Sequence, residues 1–130
     1  MSALNLNPYF REKIRKSIKK HSHLSERGGT GCIIWTGTVD KEGYPVKRVT
    51  WPNKKSSLCR VQRLVMMVKT GHLLAEMDDD GETVEVSHLC HYRDCVNVEH
   101  LTLETHWINL GRRQCVAAGR CLGHQPPCIF

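Results

Sequence analysis

Histidine and cysteine residues crowd one short segment of the chain, which contains His88, Cys90, His91, Cys95 and His100. Cys90, Cys95 and His100 recur at a spacing that suits ligands carried on loops. Two thiolates and one imidazole supply three of the four ligands of a closed tetrahedral zinc site. The segment therefore predicts a structural zinc site, site 1, whose fourth ligand comes from elsewhere in the chain.

Two cysteines remain as candidates for that fourth ligand. Cys32 begins a β-prone run directly after a glycine-rich loop, whereas Cys59 opens an apolar helical run in which a small buried thiol is ordinary. We therefore assign Cys32 to site 1. This ligand would tie the N-terminal half of the chain to the C-terminal half, and a small core needs such reinforcement.

A second cluster occupies the C-terminal tail, where Cys115, Cys121, His124 and Cys128 offer four ligands at close spacing. The tail contains Gly and Pro but has no apolar periodicity, so without a ligand it should be disordered. Zinc binding can contribute on the order of 10 kcal/mol to folding. We expect a second structural zinc ion here, at site 2; disulfides combined with buried thiols are the alternative.

This assignment leaves Cys59 as a spare thiol and His88 outside the metal shells. His88 lies two residues before Cys90, at the end of a predicted strand. Alternation along the strand would place both side chains on the same side, yet the zinc ion requires only the cysteine. His88 is therefore free for chemistry.

Length and composition limit the class of protein. The chain has 130 residues, a formal net charge of +6 and seven cysteines. The charge favours anionic partners such as nucleic acid, and the length excludes a large multidomain enzyme. An odd cysteine count without a signal peptide favours a reducing, intracellular location over a secreted disulfide scaffold. We expect no membrane partner, and the basic residues 15–20 are compatible with a nuclear location.

The elements that position these residues begin with a basic helix in segment 1–24. Asn7 and the following proline form a helix start, and Phe10, Ile14 and Ile18 share one apolar stripe. The other faces either lie in solvent or follow a phosphate backbone. Their basic residues are Arg11, Lys13, Arg15, Lys16, Lys19 and Lys20.

Segment 32–71 is predicted to hold a hairpin followed by a helix. The runs 32–36 and 44–51 are β-prone, and we expect them to pair. One of the serines at 56–57 then caps a helix that Gly71 closes. The core stripe of this helix is predicted to be Val61, Leu64, Val65 and Val68.

Segment 84–128 is predicted to be the catalytic and zinc-binding core. Strands are expected at 83–86 and 101–103, and a short helix at 105–112. On that helix, Trp107 is expected in the core.

The acidic loop 78–80 carries three carboxylates, which we interpret as a solvated loop rather than a hard-metal site. The sequence has neither an internal repeat nor a long linker. The whole chain, 1–130, is therefore expected to form one α+β domain.

The C-terminal half resembles the His-Cys box homing endonucleases, members of the ββα-metal (His-Me finger) nuclease superfamily. The likeness is close over residues 84–128 and looser over 32–71. Its specific part is the strand, turn and helix that separate His88 from Asn109, because a generic zinc domain has no reason to keep that separation. The matching residues are Ser87, His88, Leu89, Cys90, His91, Cys95, His100, Leu101, Asn109, Gly111, Arg112, Cys115, Cys121, His124 and Cys128.

The resemblance implies a zinc-stabilised ββα-metal fold and a DNA endonuclease that leaves 5′-phosphate and 3′-hydroxyl ends. It implies that His88 is the general base, that Asn109 holds a catalytic Mg²⁺, with Mn²⁺ or Ca²⁺ as substitutes, and that both clusters are structural zinc sites. An imidazole is largely unprotonated at neutral pH, and a divalent cation neutralises charge on the phosphorane and the 3′ leaving oxygen. One neutral amide binds Mg²⁺ weakly, so the cation should bind together with DNA.

Related enzymes read double-stranded DNA with a β-sheet in the major groove, and the run 44–51 with its neighbours has the charge for this task. A solvated hairpin is the alternative. The candidate DNA contacts are Lys47, Arg48, Lys54 and Lys55. A cation must also brace the scissile phosphate, and its unranked candidates are Arg48, Arg60 and Arg63.

Two expectations stay open. Family members carry a C-terminal arm beyond the second zinc site that embraces a partner subunit, whereas this sequence stops at Phe130. The chain either forms a homodimer through another surface, such as the N-terminal helix, or acts as a monomer that mainly nicks. The alternative function is a non-catalytic zinc module that binds nucleic acid through its basic face.

Overall fold

The computed structural model describes residues 5–75 and 77–130, which form an α+β fold. Within these residues three α-helices accompany three two-stranded antiparallel sheets. The elements are α1 (Pro8–Lys20), β1 (Ser22–Leu24), β2 (Ile33–Trp35), β3 (Val46–Thr50), β4 (Ser56–Arg60), α2 (Val61–Thr70), β5 (Val84–His88), β6 (Leu101–Thr105) and α3 (His106–Ala118). None of the helices in these ranges is long and apolar enough to cross a bilayer.

Helix α1 begins where predicted. The Asn7 side chain accepts hydrogen bonds from two backbone N–H groups of the first turn, at 2.9 and 3.3 Å, and the following proline occupies the first helical position. Phe10 and Ile14 are buried against α2, whereas the basic faces are exposed. The helix ends before β1, so the predicted segment 1–24 holds both elements, and residues 1–4 lie outside the described residues.

The predicted pairing of the runs 32–36 and 44–51 is wrong. Strand β2 pairs with β1, and β3 pairs with β4. Between β2 and β3, Val39 and Pro45 form an isolated antiparallel β-bridge with each other. Strand β3 finds a partner nearer in sequence because a tight turn follows it, in which Lys54 adopts a left-handed φ of 68°.

The start of α2 also differs from the prediction. Residues 56–57 do not cap a helix but lie in β4, because the turn after β3 places them opposite that strand. Helix α2 begins at Val61 instead. Its predicted end is confirmed, since Gly71 has a φ of 75° and its N–H group bonds to the Met67 carbonyl at 2.8 Å. The predicted stripe is buried at Val61, Leu64 and Val65 and half-buried at Val68.

Helix α2 lies between two apolar clusters. On one side Val61 packs with Val86 of β5 and Leu101 of β6. On the other side Leu64 packs with Phe10 of α1 and with β3. Each fully buried aliphatic side chain stabilises the fold by about 1.5–3 kcal/mol, so α2 fixes the β5–β6 hairpin relative to the N-terminal elements.

The C-terminal elements form a ββα unit. Strands β5 and β6 pair from Val84 opposite Thr105 to His88 opposite Leu101, and α3 follows β6 directly. Both strands and the helix occur where predicted, and the helix continues well beyond residue 112 because its C-terminal half packs toward the tail.

Two side-chain predictions in this half have different outcomes. Trp107 is not in the core but is 68% exposed, because α3 turns Arg112 and Cys115 inward and Trp107 lies on another side of the helix. The acidic loop 78–80 is exposed, as predicted. Its turn is held by the Asp78 side chain, which accepts hydrogen bonds from backbone N–H groups at 2.9 and 3.0 Å.

Candidate zinc sites and catalytic cavity

The four predicted ligands of site 1 come together in the structure. Their sulfur and ring-nitrogen atoms all lie within 4.8 Å of one another, and all four residues are buried. The Nδ1 atom of His100 lies 3.6 Å from Cys32 Sγ and 3.5 Å from Cys95 Sγ. Tetrahedral zinc, with Zn–S near 2.3 Å and Zn–N near 2.0 Å, separates such atoms by about 3.6 Å. The tetrad is therefore consistent with a closed structural zinc site.

Strand β2 brings Cys32 to this site. The segment after Cys32 runs antiparallel to residues 94–96, where Trp35 and Val96 donate backbone hydrogen bonds across the pair at 3.0 and 2.7 Å. Cys32 is fully buried as a result. Cys59, the rejected candidate, packs instead in the cluster of α1 and β3.

Site 2 is built where α3 ends. Cys115 lies in the last turns of the helix, and Gly119 reverses the chain with a φ of 70°. The tail then returns, so that His124 Nδ1 lies 3.2 Å from Cys115 Sγ and 3.8 Å from Cys121 Sγ. With Cys128, the four ligand atoms again lie within 4.8 Å of one another, consistent with a second structural zinc site.

Hydrogen bonds favour one thiolate in each cluster, at Cys95 and Cys121, whereas burial and neighbouring thiols raise the pKa values of Cys32, Cys90 and Cys128. Cys90 hydrogen-bonds to Cys95 and holds the pKa of the Cys95 thiol well below its usual value. Backbone N–H groups of the tail, that of Cys128 first, lower the pKa of Cys121 to about 6. The N–H group of Leu122 also donates to Cys115 Sγ at 3.3 Å. Three cysteine sulfurs and one imidazole are a donor set of structural zinc sites, so the donor chemistry of both clusters fits the metal.

A cavity of about 760 Å³ lies between the ββα unit and the start of α2, and both His88 and Asn109 line it. His88 ends β5, with its ring 6.1 Å from that of Tyr44. Burial lowers the pKa of His88 to about 4, against smaller opposing effects that include a hydrogen bond with the Cys95 backbone. The Nε2 atom of His88 is buried and has no partner among the described residues. The ring is therefore neutral at pH 7, with Nε2 available to accept a proton.

Asn109 lies in the first turn of α3, where its amide is held by Glu85. The Nδ2 group of Asn109 donates to Glu85 Oε1 at 3.0 Å, and Nδ1 of His106 contacts the same oxygen at 2.9 Å. Sequence reasoning missed Glu85 and His106. Helical spacing contained a signal for one of them, because His106 and Asn109 are three residues apart and share a helix face.

Arginines line the cavity together with these residues. Two of the predicted phosphate braces, Arg60 and Arg63, are among them, whereas Arg48 is not and donates to Ser56 on the neighbouring strand instead. Arg60 lies 4.1 Å over the Tyr44 ring and pairs with two carboxylates, those of Asp40 and Glu42, at 3.4 and 3.2 Å. The other cavity arginines are Arg93, Arg112 and Arg113. The sequence analysis named only Arg112, as a residue that matches the nuclease family, and predicted none of the three as a phosphate contact.

The predicted DNA-contacting residues do not share one face. Arg48 is exposed on β3, but Lys47 is half-buried beside the buried Val49, because successive residues of a strand point to opposite sides. Lys54 and Lys55 are exposed at the turn of the β3–β4 hairpin. The exposed face and tip of this hairpin are therefore basic.

His91 is a further histidine at the catalytic cavity. It lines the same cavity, and its Nε2 is buried without a partner among the described residues. Its backbone has a φ of 66°, and its ring lies 5.3 Å from that of Phe130. Its unusual backbone conformation brings a second orphaned imidazole nitrogen to the lining of the cavity.

Comparison with known proteins agrees with this geometry. The family described as the zinc-binding loop region of homing endonuclease matches residues 31–129. No curated protein matches the chain significantly. The matched range includes both cysteine–histidine clusters, the ββα unit and all of the cavity residues named above. The chain therefore belongs to the homing endonuclease family that is defined by this zinc-binding loop region.

Proposed function

We propose that the chain is a divalent-metal-dependent endonuclease that hydrolyses phosphodiester bonds of double-stranded DNA and leaves 5′-phosphate and 3′-hydroxyl ends. We further propose that each chain holds two structural zinc ions, at the site 1 and site 2 tetrads. Membership of a homing endonuclease family supports a nuclease. The proposed reaction and the roles of its residues depend on the cavity.

One observation carries the proposal. His88 has a buried Nε2 without a described partner, and it lines an arginine-rich cavity together with Asn109. An unpaired buried ring nitrogen lowers the stability of the fold, and a protein that only binds DNA has no use for it that would offset this cost. Hydrolysis provides that use.

In this proposal His88 accepts a proton from the attacking water through Nε2. The backbone of Cys95 hydrogen-bonds to the ring, and because Nε2 is unpaired we assign that bond to Nδ1. A proton held on Nδ1 leaves the lone pair on Nε2, which is the tautomer that a general base requires. Site 1 thus holds the catalytic imidazole in place through the backbone of its own ligand.

Asn109 would hold the catalytic cation through Oδ1. A bound Mg²⁺ supplies charge neutralisation at the phosphate and at the 3′ leaving oxygen. The amide is a fitting but weak donor, because Mg²⁺ prefers about six oxygen ligands and Asn109 contributes one neutral oxygen. Phosphate oxygens and water must complete the shell.

Arg63 is the better of the two cavity candidates for bracing the scissile phosphate. Arg60 already pairs with Asp40 and Glu42, which neutralise its charge in part. Arg63 makes no ion pair with a described residue and donates to the Leu74 carbonyl at 3.4 Å. Its charge is therefore available to an incoming phosphate.

DNA would dock on the exposed side of the β3–β4 hairpin. Arg48 on its face and Lys54 and Lys55 at its tip are exposed cations on a two-stranded ribbon, which has the size of an element that enters a major groove. Lys47 is a weaker candidate because it is half-buried.

The test is cleavage of supercoiled plasmid with Mg²⁺ by the wild type, His88→Ala and His72→Ala. His72 is the matched control because its Nδ1 is also buried without a described partner, while the residue lies outside the cavity lining. We expect the wild type and His72→Ala to nick, and His88→Ala to lose about 10²–10⁴-fold in rate. Open circles as the first product would indicate a monomer, and linear DNA a homodimer.

Two outcomes would overturn the assignment. Unchanged nicking by His88→Ala would remove this residue from the mechanism. No nicking by the wild type with any divalent cation, together with retained DNA binding, would favour the non-catalytic zinc module.

A further inference from the structure

We propose that Glu85 is a positioning residue that fixes the amide of Asn109, so that Oδ1 rather than Nδ2 is presented to the catalytic cation. This inference rests on the proposed function and assigns a role to a residue outside its catalytic set. It starts from the contact between Asn109 Nδ2 and Glu85 Oε1, at 3.0 Å.

The chemistry of the two groups makes the contact directional. An ionised carboxylate only accepts hydrogen bonds, and a primary amide donates only through nitrogen. Glu85 therefore selects one of the two flip states of the Asn109 amide, the one that turns Oδ1 away from the carboxylate. No described residue donates a hydrogen bond to Oδ1, so this oxygen remains available as a metal ligand.

His106 holds Glu85 in turn. Its Nδ1 lies 2.9 Å from the same Oε1 atom, and both residues are only partly exposed. Burial raises the pKa of Glu85, but the hydrogen bonds from Asn109 and His106 together with the charges of His106 and Arg60 lower the pKa overall. Oε1 of Glu85 lies within hydrogen-bond distance of both side chains.

The rigid elements on both sides support this role. Glu85 lies on β5, three residues before His88, and Asn109 lies in the first turn of α3. The Glu85–Asn109 contact thus joins the strand of the proposed base to the helix of the proposed metal ligand. All of these residues line the same cavity.

Three variants test the proposal. Glu85→Gln retains an oxygen at the position of Oε1 that can accept from both donors, whereas Glu85→Ala removes it. Glu82→Ala is the control, because Glu82 is an exposed carboxylate just before β5 and does not line the cavity. All variants should retain two zinc ions and an unchanged backbone amide NMR spectrum away from the substituted residue.

The readouts are the side-chain NH₂ signals of Asn109 in zinc-loaded protein without Mg²⁺ or Mn²⁺, their broadening by added Mn²⁺, and the Mg²⁺ concentration for half-maximal nicking. We expect Glu85→Ala to speed solvent exchange of the Asn109 NH₂ protons and to weaken both Mn²⁺ broadening and Mg²⁺ use by about tenfold, the factor for one lost charge-assisted hydrogen bond. Glu85→Gln and Glu82→Ala should stay within about twofold of the wild type.

Two results overturn the proposal. If Glu85→Gln and Glu85→Ala weakened Mn²⁺ broadening equally, the charge of Glu85 would act directly on the cation. Unchanged NH₂ exchange and Mn²⁺ broadening in Glu85→Ala would mean that Glu85 does not position Asn109. The NH₂ exchange and Mn²⁺ broadening require no cleavage, so these two readouts decide this proposal even if the wild type fails to nick and the proposed function is lost.

Discussion

At the scale of single residues, hydrogen-bond partners distinguish the histidines better than residue type does. His100 and His124 direct Nδ1 toward cysteine sulfurs, and His106 directs it toward a carboxylate. His88 and His91 instead leave a buried Nε2 unpaired in the cavity. Because His72 also has an unpaired buried Nδ1 within the described residues but lies outside the cavity lining, it is the position of an unpaired atom in the cavity that indicates a function.

The first prediction concerns the contact between Glu85 and Asn109. Asn109→Asp would place two carboxylates at hydrogen-bond distance, which raises the pKa of one of them and disfavours the geometry. We expect nicking at a fixed Mg²⁺ concentration to fall by about tenfold or more, although a carboxylate is by itself the stronger Mg²⁺ ligand.

Adding Glu85→Gln to Asn109→Asp should restore part of the lost rate, because the glutamine amide can donate to the introduced carboxylate. Rates of the wild type, both single variants and the double variant form a mutant cycle that measures the coupling. Strictly additive effects would contradict a direct interaction between the two side chains.

At the scale of elements, a buried ion pair connects the C-terminal tail to the β5–β6 hairpin. Arg112 of α3 donates to both oxygens of Glu104 on β6, at 2.6 and 2.8 Å, and the side chains are 2% and 6% exposed. Arg112 also donates to Cys128 Sγ at 3.3 Å and to the Pro126 carbonyl at 2.9 Å. Glu104 accepts a further hydrogen bond from Ser87, next to His88.

The second prediction follows from this burial. Glu104→Ala should lower the free energy of unfolding by about 3–5 kcal/mol, because it leaves the Arg112 guanidinium buried without its counterion. Urea denaturation measures the effect. Glu99→Ala, which removes an exposed carboxylate, is the control and should change stability by less than about 0.5 kcal/mol.

A loss in Glu104→Ala no larger than that of the control would show that the pair does not hold the tail. Hydrogen–deuterium exchange then gives a second measurement. We expect the tail after Gly119 to exchange faster in Glu104→Ala than in the wild type, because Arg112 links both elements.

At the scale of the whole molecule, the two zinc sites differ in what they connect. Site 1 joins the segment before β2 to the connection between β5 and β6, and its ligands are all buried. Site 2 closes only the tail onto the end of α3, and three of its ligands are half-buried. The loss of site 1 should therefore affect the whole fold, and the loss of site 2 mainly the tail.

The third prediction tests this difference with Cys32→Ser, Cys121→Ser and Cys59→Ser. The first two should each lose one of two zinc ions, measured by elemental analysis, and Cys59→Ser should keep both. Cys32→Ser should show the larger fall in thermal stability, because zinc binding on the order of 10 kcal/mol is comparable to the whole stability of a small domain. Equal decreases in thermal stability for Cys32→Ser and Cys121→Ser would contradict this prediction.

The fourth prediction concerns the basic surface. DNA affinity should fall with salt, with a slope of about 0.9 in log affinity per log salt for each phosphate that is neutralised. Replacing both Lys54 and Lys55 with Ala should reduce that slope by up to about 2. Filter binding with a duplex at several salt concentrations measures this slope. An unchanged slope in the double variant would mean that DNA does not bind at the tip of the β3–β4 hairpin.

Several features could be predicted from the sequence because they depend on short chain separations. The ligand spacing of site 2, the Asn7 helix start and the Gly71 helix end are local, and backbone geometry permits few alternatives there. The strands and helix of the ββα unit were predicted for the same reason. His88 was singled out by elimination, once the zinc ligands had been assigned.

Other features were decided by contacts between distant segments. The choice of β1 and β4 as strand partners, the exposure of Trp107 and the separation of Lys47 from Arg48 each depend on which elements pack together. Register and burial reflect the whole fold, and a local pattern does not contain them.

The sequence by itself indicated most of the candidate zinc ligands, the proposed base and the basic character of the chain, because residue type and spacing carry that chemistry. Only the tertiary structure decided that Cys32 meets its partners, that Glu85 and His106 hold Asn109, and that Arg60 and Arg63 line the cavity while Arg48 does not. Those contacts join residues that are far apart in the chain. Their free energy is gained only when the intervening elements have packed.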